Sequence, residues 1–264
     1  MNTVASLPMY ERGELNAAHY EFWSHILKGF KARNLPAPKK IISGYEGTKV
    51  WMNTNLVLSQ TCGLPFRTNL KGKVGYVGTP IYDLRNCPPG YYRSVFITNH
   101  FRKNLKPNDF IGSTFAINSY NSQSGYAAAC EYFYDCNLPF SNIYVTGSHF
   151  KSALSVYQGL SDIACIDEIS WKLIRNFDRF SSYLAEIAWT SPTPALPIIT
   201  VKYRNSVDIV HEIMSNAIID LSSHNAKILL LKGFTWINPD VYFSIATPKD
   251  FITKSAGSLN SDPA

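Results

Sequence analysis

The chain has 264 residues, of which 45% are hydrophobic and 17% are charged. This length fits one large domain or two of ordinary size, and the composition excludes an intrinsically disordered chain. The formal net charge is +6, but the 25 basic residues are scattered and form no continuous run, which argues against nucleic acid as a partner.

The start of the chain carries no recognisable targeting segment. Residues 1–10 contain neither the positive region nor the apolar region of a secretory signal. No segment approaches the ~18 apolar residues that a membrane-spanning helix requires. The sequence as written therefore predicts a cytoplasmic protein without membrane insertion, or a periplasmic protein if a leader has been removed.

The first part of the chain alternates predicted strands with an amphipathic helix. Short strands are predicted at residues 3–7, 56–58 and 74–82 from their apolar and β-branched content. Residues 15–33 form a predicted helix, because residues at helical spacing such as Phe22 and Phe30 share one face. Three polar or aromatic residues follow the first two strands and are candidates for ligand contact: Tyr10, Gln60 and Thr61.

The second part of the chain is a more regular series of strands and helices. Strands are predicted at residues 91–98, 110–117, 142–145, 162–166, 184–189 and 198–203. Such alternation is typical of an α/β architecture with mainly parallel sheets flanked by helices. The crossing near residues 91–98 and the return near residues 189–194 predict two lobes joined by two strands. Lobe 1 is expected to comprise residues 1–94 and 191–264, and lobe 2 residues 95–190.

A turn rich in small polar residues joins the 110–117 strand to the next helix. Residues 118–125 read Asn-Ser-Tyr-Asn-Ser-Gln-Ser-Gly, and the predicted helix begins at Tyr126. The first N–H groups of a helix have no internal partner and carry the positive end of its dipole, so such a turn suits an anion. Taken alone, however, Ser122 or Ser124 in this position is more often a simple helix cap.

Two further strand ends carry polar residues, and they favour a ligand site over a simple helix cap. Residues 146–149 read Thr-Gly-Ser-His, and Asp167 follows the 162–166 strand. In open α/β sheets, ligands bind beyond the carboxyl ends of the strands. One crevice is therefore predicted to receive the polar residues of all three ends: Ser122, Gln123, Ser124, Ser148, His149 and Asp167.

The roles of His149 and Asp167 stay open at the level of sequence. His149 begins a helix, where it either caps the helix or, as a neutral imidazole, donates a hydrogen bond to an anion. Asp167 either is a favourable acid in the first turn of a helix or contacts an amine or hydroxyl of a ligand. Trp189, near the return crossing, is interpreted as packing at the hinge and not as a ligand-stacking residue.

Seven segments taken in order resemble the type-II solute-binding proteins that serve phosphate, phosphite and phosphonate ABC importers. They are residues 5–10 (Ala-Ser-Leu-Pro-Met-Tyr), 58–63 (Leu-Ser-Gln-Thr-Cys-Gly), 77–83 (Val-Gly-Thr-Pro-Ile-Tyr-Asp), 91–95 (Tyr-Tyr-Arg-Ser-Val), 121–125 (Asn-Ser-Gln-Ser-Gly), 147–149 (Gly-Ser-His) and 162–167 (Asp-Ile-Ala-Cys-Ile-Asp). No single segment is specific, but their order and spacing match the family over most of the chain.

The resemblance implies two α/β lobes that close on an oxyanion about a hinge, with no cofactor, no metal and no catalysis. In that family the Ser-x-Ser-Gly turn, here Ser122, Ser124 and Gly125, donates hydroxyl and amide groups to the ligand. A tyrosine before the crossing strand often faces the ligand, and Tyr91 or Tyr92 stands there. His149 is the corresponding candidate in the Gly-Ser-His turn. The implied partners are a small anionic ligand and an ABC permease.

The sequence departs from the family in the turn itself. The family usually has Asn-Asp-Pro before the serines, whereas Ser119 and Tyr120 stand here in place of the acid and the proline. A typical member also carries an export signal. The first hypothesis is thus a non-catalytic protein that binds a small oxyanion. A second hypothesis is a cytoplasmic sensor whose ligand-bound form is recognised by another protein.

A third hypothesis is an enzyme related to thiamine-pyrimidine proteins, which resemble this class and of which some use a histidine and iron. Those enzymes carry clustered cysteines, whereas the five cysteines here are scattered and form no CxxC pair: Cys62, Cys87, Cys130, Cys136 and Cys165. Nucleophile-elbow, zinc-binding and Walker motifs are absent as well. Whether Cys62 and Cys87 pair under oxidising conditions is left open by the sequence.

Overall fold

The computed structural model describes residues 3–44, 48–133 and 140–248. The chain forms two compact units. Of the described residues, those within 1–91 and 194–244 belong to unit 1, and those within 92–193 and 245–248 belong to unit 2. The chain thus changes unit after residues 91, 193 and 244.

Strands and helices alternate along the described residues. The strands are β1 (Val4–Ser6), β2 (Leu56–Gln60), β3 (Gly75–Tyr82), β4 (Tyr91–Tyr92), β5 (Ser94–Asn99), β6 (Thr114–Ile117), β7 (Asn142–Val145), β8 (Ile163–Asp167), β9 (Leu184–Trp189), β10 (Thr193–Pro194), β11 (Ile198–Thr200) and β12 (Leu231–Thr235). The α-helices are α1 (Asn16–Ala32), α2 (Thr48–Trp51), α3 (Gly63–Thr68), α4 (Ala128–Tyr132), α5 (His149–Tyr157), α6 (Glu168–Phe177), α7 (Val207–Ile219), α8 (Ser223–Ile228) and α9 (Pro239–Phe243).

Unit 1 is built on a five-stranded sheet in the order β1-β2-β11-β3-β12. β1 and β2 pair in parallel, whereas β11 is antiparallel to both β2 and β3, and β12 is antiparallel to β3. The strands from the first part of the chain therefore point one way, and the strands from its returning part point the other way.

Unit 2 contains a five-stranded sheet in the order β7-β6-β8-β5-β9. β6 pairs in parallel with both β7 and β8, with Ile117 opposite Val145 and Ala116 opposite Ala164. β5 lies antiparallel between β8 and β9. The carboxyl ends of β6, β7 and β8 consequently lie at one edge of the sheet, which is where the polar turns were predicted to meet.

The α/β alternation predicted from the sequence is confirmed, but the sheets are mixed and not mainly parallel. The difference arises because β5, β11 and β12 pair antiparallel with strands that are distant in sequence. The strand predicted at residues 110–117 is also shorter than expected. Pro107–Phe110 forms a 3-10 helix, and Gly112 adopts a positive φ of 82°, so β6 begins only at Thr114.

Both faces of the unit 2 sheet are covered by apolar residues. Val95 and Ile97 belong to a buried cluster with Trp171 of α6, while the intervening Phe96 belongs to a second cluster with Phe115. Since side chains of a strand alternate between faces, a run of consecutive buried residues means that both faces of β5 are buried. This packing holds the central strands in place and fixes the positions of their ends.

The predicted amphipathic helix is confirmed as α1, whose buried residues include Ala18, Phe22, Ile26 and Phe30. It packs against α7 in unit 1. α1 is the longest helix described, and no described helix combines the length and the apolarity that a bilayer crossing requires.

Glu21 on the exposed side of α1 joins this helix to the start of α8. Its carboxylate accepts hydrogen bonds from the Ser222 backbone N–H at 2.8 Å, from the Ser222 hydroxyl at 2.9 Å and from the Asn225 side-chain amide. These hydrogen bonds to the ionised form lower the pKa of Glu21 to about 2. The carboxylate thus holds Ser222, the residue that caps α8, and ties the start of α8 to α1.

We predict that Glu21→Gln destabilises unit 1 in a pH-dependent way. The pKa of Glu21 is lower in the folded protein than in the unfolded chain, so its contribution is present above the unfolded value and is lost as pH falls toward about 2. Urea unfolding at a series of pH values should show the largest difference between variant and parent at neutral pH. The exposed Glu131→Gln serves as the control for charge removal. A difference that does not shrink at acid pH would contradict the assignment.

Candidate functional site

The polar turn after β6 leads into a π-helix. Gln123–Ala127 forms this π-helix and runs directly into α4, and Ser122 precedes it as the capping residue. The Ser122 hydroxyl oxygen accepts a hydrogen bond from the Gly125 N–H at 2.9 Å. Ser122 and Ser124 are each only 4% exposed. Both serines therefore lie in a buried, polar helix start, and Ser122 is a cap as one of the two sequence interpretations states.

His149 joins the three strand ends through side-chain contacts. Its Nε2 atom lies 2.8 Å from the Ser124 hydroxyl oxygen and 3.4 Å from the Asp167 Oδ2 atom. Ser124 follows β6, His149 follows β7 and Asp167 ends β8. The predicted convergence of the three strand ends is thus observed within unit 2.

Asp167 caps helix α6 with both oxygens of its carboxylate. Oδ1 accepts a hydrogen bond from the Ser170 N–H at 2.8 Å, and Oδ2 accepts one from the Ser170 hydroxyl at 2.6 Å. Its side chain is 5% exposed. Because Oδ2 is also the oxygen beside His149, the carboxylate fixes the imidazole as well as the helix.

The imidazole of His149 is held in its neutral form. Burial lowers the pKa of His149, and the Asp167 carboxylate opposes this shift only in part. A carboxylate accepts hydrogen bonds but cannot donate them, so the ring proton belongs on Nε2, between Asp167 and Ser124. The other ring nitrogen, Nδ1, is buried and has no hydrogen-bond partner among the described residues.

Gly125 is required at its position by a close approach of neighbouring side chains. A Cβ atom at residue 125 would lie 2.1 Å from the Asn118 Oδ1 atom and 3.3 Å from the His149 Cε1 atom. Asn118 Oδ1 and Asn121 Oδ1 are buried, and neither has a hydrogen-bond partner in the described part of the chain. Sequence reasoning did not single out Asn118, although its place directly after β6 was the available signal.

The departure from the family pattern at Ser119 and Tyr120 is compensated by other contacts. The Ser119 hydroxyl oxygen accepts a hydrogen bond from the Asn121 N–H at 3.1 Å. The Tyr120 ring packs edge-on against Tyr126, with ring centroids 5.1 Å apart. A side-chain turn and an aromatic contact therefore hold the segment where the family uses a proline.

A thiol and an ion pair support the site from the interior of unit 2. The Cys165 Sγ atom donates a hydrogen bond to the Ser124 carbonyl at 3.3 Å, and burial raises the pKa of Cys165, which keeps the donor protonated. Arg93 pairs with Glu168 at 3.0 Å and lies over the Trp189 ring, 4.0 Å from its centroid. Trp189 therefore packs against an arginine beside β5, a contact that sequence reasoning did not predict.

The candidate residues of unit 1 lie at the ends of β1 and β2. The Gln60 amide donates hydrogen bonds to the Tyr82 hydroxyl at 2.9 Å and to the Leu196 carbonyl at 3.4 Å. The Tyr10 ring meets the Tyr82 ring edge-on at 5.5 Å. Thr61 is fully buried, and its hydroxyl has no hydrogen-bond partner among the residues described. Tyr82 thus links Gln60 to Tyr10, a connection that the sequence did not reveal.

The remaining predicted residues are more structural in their contacts. Ser148 caps α5, since its hydroxyl oxygen accepts a hydrogen bond from the Lys151 N–H at 3.1 Å. Gln123 is 1% exposed, and so is Tyr92. Tyr91 is half-buried and packs against the apolar cluster of unit 1. Cys62 and Cys87 are present as thiols and not as a disulfide.

The comparison with protein families assigns the chain. Residues 78–242 match the sequence model of a family described as the phosphonate-binding periplasmic substrate-binding protein of ABC transporters. This match covers more than half of the 264 residues. The chain belongs to this family. Its members are substrate-binding proteins and not enzymes, and the resemblance found in the sequence is thereby confirmed.

Solved structures confirm the periplasmic-binding-protein fold at low sequence identity. PhnD1 from Prochlorococcus marinus, in complex with methylphosphonate, is 14% identical over 98% of this chain and 99% of its own, with a TM-score of 0.69. A binding protein component of an ABC phosphonate transporter from Pseudomonas aeruginosa is 15% identical over 99% of this chain and 90% of its own, also with a TM-score of 0.69. A Candida albicans protein with the generic periplasmic-binding-protein fold is 14% identical over 100% of this chain and 92% of its own, with a TM-score of 0.58. No curated protein sequence matches the chain.

The described residues contain no group of three or more His, Cys, Asp or Glu side chains arranged to hold a metal ion. The polar groups that converge at the strand ends are instead hydroxyls, amides and one neutral imidazole. Such groups are hydrogen-bond donors suited to the oxygens of a small anion. Asp167 is the one carboxylate among them, and its oxygens are used by Ser170 and His149.

We predict that Gly125→Ala destabilises unit 2 by about 1–3 kcal/mol, because the added methyl group overlaps the Asn118 side chain. The loss should appear as a lower urea midpoint with an unchanged denaturant dependence of the unfolding free energy. Gly13→Ala is the matched control, since a Cβ at residue 13 meets no atom within 4 Å. Equal stability of the two variants would show that Asn118 moves aside without cost.

We predict that His149 makes the protein less stable in mild acid. Burial lowers the pKa of His149 in the folded state, so the unfolded chain binds more protons and stability falls as pH decreases below the unfolded value. His149→Gln removes this dependence, which amounts to at most about 1.4 kcal/mol per pH unit. Unfolding free energies of parent and variant between pH 7 and pH 5 test this prediction. His224→Gln, at an exposed histidine, is the control; an unaltered slope in His149→Gln would refute the assignment.

Proposed function

We propose that this protein binds a small tetrahedral oxyanion, a phosphonate, phosphate or similar anion, as the substrate-binding component of an ABC importer. The observation that carries the proposal is the contact of His149 Nε2 with Ser124 at 2.8 Å and with Asp167 at 3.4 Å, beside the capped serine turn. Family membership supports the same assignment. On this proposal the protein works on the periplasmic side and delivers its ligand to a permease.

The hydrogen-bond directions in unit 2 leave hydroxyl protons for a ligand. Ser122 uses its oxygen to accept from the Gly125 N–H, so its own O–H can donate elsewhere. If His149 Nε2–H donates to Ser124, the Ser124 O–H is likewise directed away from the imidazole. The two serine oxygens also lie 3.4 Å apart, so one hydroxyl can donate to the other. In this proposal both hydroxyls turn to the oxygens of one anion when it binds, with the neighbouring Ser148 and Gln123 as further proposed contacts.

Unit 1 supplies the other contacts in this proposal. The Thr61 hydroxyl is buried without a partner among the described residues, which is costly unless a ligand satisfies it. Gln60 and Tyr10 stand at neighbouring strand ends and are oriented through Tyr82. We propose that these residues, with Tyr91 or Tyr92, complete the oxyanion site when the two units close about their connecting segments.

Asp167 narrows the proposed ligand class. Both of its oxygens accept hydrogen bonds from Ser170, and Oδ2 also faces His149. An ammonium group on a ligand would compete with these contacts for a side chain that is only 5% exposed. The proposed ligands are therefore oxyanions without an amine, such as methylphosphonate or phosphate, in preference to aminoethylphosphonate.

Isothermal titration with methylphosphonate tests the proposal. We predict that Ser124→Ala weakens binding by about 10- to 100-fold, because a hydrogen bond to a charged ligand is lost in a buried site. Ser182→Ala, at an exposed serine of unit 2, is the control and should bind as the parent does. Equal affinity of Ser124→Ala and the parent would exclude the serine turn as the binding site.

The same titration carries the ligand comparison. Phosphate and methylphosphonate should bind more tightly than aminoethylphosphonate. The Asp167→Asn variant should not show a larger difference in affinity between these ligands. Tighter binding of aminoethylphosphonate would overturn the argument from Asp167. Absence of binding by every tetrahedral oxyanion tested would overturn the proposed function itself.

A further inference from the structure

Unit 1 contains a cavity that shares no residue with the proposed oxyanion site. Its volume is about 310 Å³, near the lower end of the range for small-molecule sites. It is bounded by the segment after α3, the start of β3, the start of α7, the segment after β12, and α9. Its chemistry is set by four aromatic and two basic residues: Phe66, Tyr76, Trp236, Phe243, Lys71 and Arg204.

The aromatic walls are held in fixed orientations. The rings of Phe66 and Phe243 are stacked with centroids 5.6 Å apart, and Tyr76 lies 6.4 Å from Trp236. The Tyr76 hydroxyl is paired with Thr79 at 2.7 Å and accepts a hydrogen bond from the Ile237 N–H at 3.2 Å. Because its polar end is satisfied internally, Tyr76 contributes its ring to the cavity wall. Phe66 and Tyr76 are themselves buried, so they form the floor of the cavity and hold the rings of Phe243 and Trp236 in place.

Trp236 is the most exposed of the four aromatic residues at the cavity. Its side chain is 58% exposed, which leaves a large indole surface in water. An exposed tryptophan beside a concave aromatic surface is typical of a binding site more than of a structural core. A planar ligand in the cavity would cover this indole and thereby remove apolar area from water.

Two cations stand at the same cavity. Lys71 Nζ lies 4.5 Å from the Phe243 ring centroid, and the Arg204 Nη2 atom donates to the Gly72 carbonyl at 2.9 Å. That single bond orients the guanidinium and leaves its remaining N–H groups for other acceptors. No carboxylate belongs to the described residues that line the cavity. Aromatic walls and unneutralised positive charge together suit a ligand that is both planar and anionic.

We propose that this cavity is a second binding site, which takes a small aromatic carboxylate. The aromatic part of the ligand lies on the exposed indole of Trp236, and the carboxylate faces Lys71 and Arg204. The volume admits a molecule of one or two rings. This site is independent of the oxyanion site, and it rests on the contacts of unit 1 alone.

Fluorine NMR with para-fluorobenzoate tests this proposal, with the neutral para-fluorobenzamide as a partner of equal shape. The relaxation of the ligand fluorine reports binding without any assumption about activity. We expect saturable binding of the carboxylate with a Kd on the order of 1 mM, as befits a ligand of this size, and binding of the amide weaker by about fivefold or more. Excess methylphosphonate should leave the signal unchanged, because it belongs to the other site.

Three variants locate the binding. Trp236→Ala should abolish saturation within the accessible concentration range, and Lys71→Met should weaken carboxylate binding by about fivefold or more while leaving amide binding unchanged. Lys103→Met, at an exposed lysine of unit 2, is the control for loss of one positive charge and should bind as the parent does. Thermal unfolding checks that each variant is folded, which is expected for side chains exposed at the surface.

Each alternative result counts against the proposal in a defined way. Equal binding of carboxylate and amide would overturn the anionic ligand class. Retained binding in Trp236→Ala, or displacement of para-fluorobenzoate by methylphosphonate, would overturn the assignment to this cavity. Absence of saturable binding by both compounds up to about 10 mM would overturn the second site as a whole. Methylphosphonate affinity itself is measured by the separate calorimetric titration, so failure of this site and failure of the oxyanion site are distinguishable.

Discussion

The parallel pairing of β6 with β7 and β8 is the constraint on which the proposed binding site depends. It brings three chain reversals to one edge of the sheet, and it does so whatever the residues in those reversals are. At this edge, the imidazole of His149 lies between the hydroxyl of Ser124 and the carboxylate of Asp167. On the function proposed above, this arrangement leaves the hydroxyls of Ser122 and Ser124 to donate to the anion.

The sequence was sufficient to predict where this edge lies and which residues reach it, because both properties follow from local patterns. Apolar segments of strand length, followed by small polar residues and then by a helical pattern, mark Ser124 and His149 directly. The sequence was not sufficient to predict which strands β5 and β11 pair with, since the partners of each are remote from it along the chain. Strand direction in a mixed sheet is decided by such tertiary pairing and leaves little trace in local periodicity.

Details inside the site escaped prediction for a related reason. The π-helical start at Gln123 and the close approach of Asn118 to Gly125 are features of the folded turn that its sequence pattern does not reveal. Tyr120 stands in place of the proline of the family pattern. In the structure its ring packs on Tyr126 and gives the segment a different support. At 14% identity with a TM-score of 0.69, the comparison with PhnD1 shows how far individual residues change while the fold persists.

The ion pair between Arg93 and Glu168 links the strand ends of the proposed site to the segments that lie beside two of the chain crossings. Glu168 is the residue after Asp167, so it is carried by the same backbone that caps α6. Arg93 follows the first crossing, and its guanidinium rests on Trp189, which lies shortly before the second crossing. Arg93, Glu168 and Trp189 all belong to unit 2. One guanidinium thus holds the first turn of α6 against the end of β9, so a change at either partner would alter the support of the other.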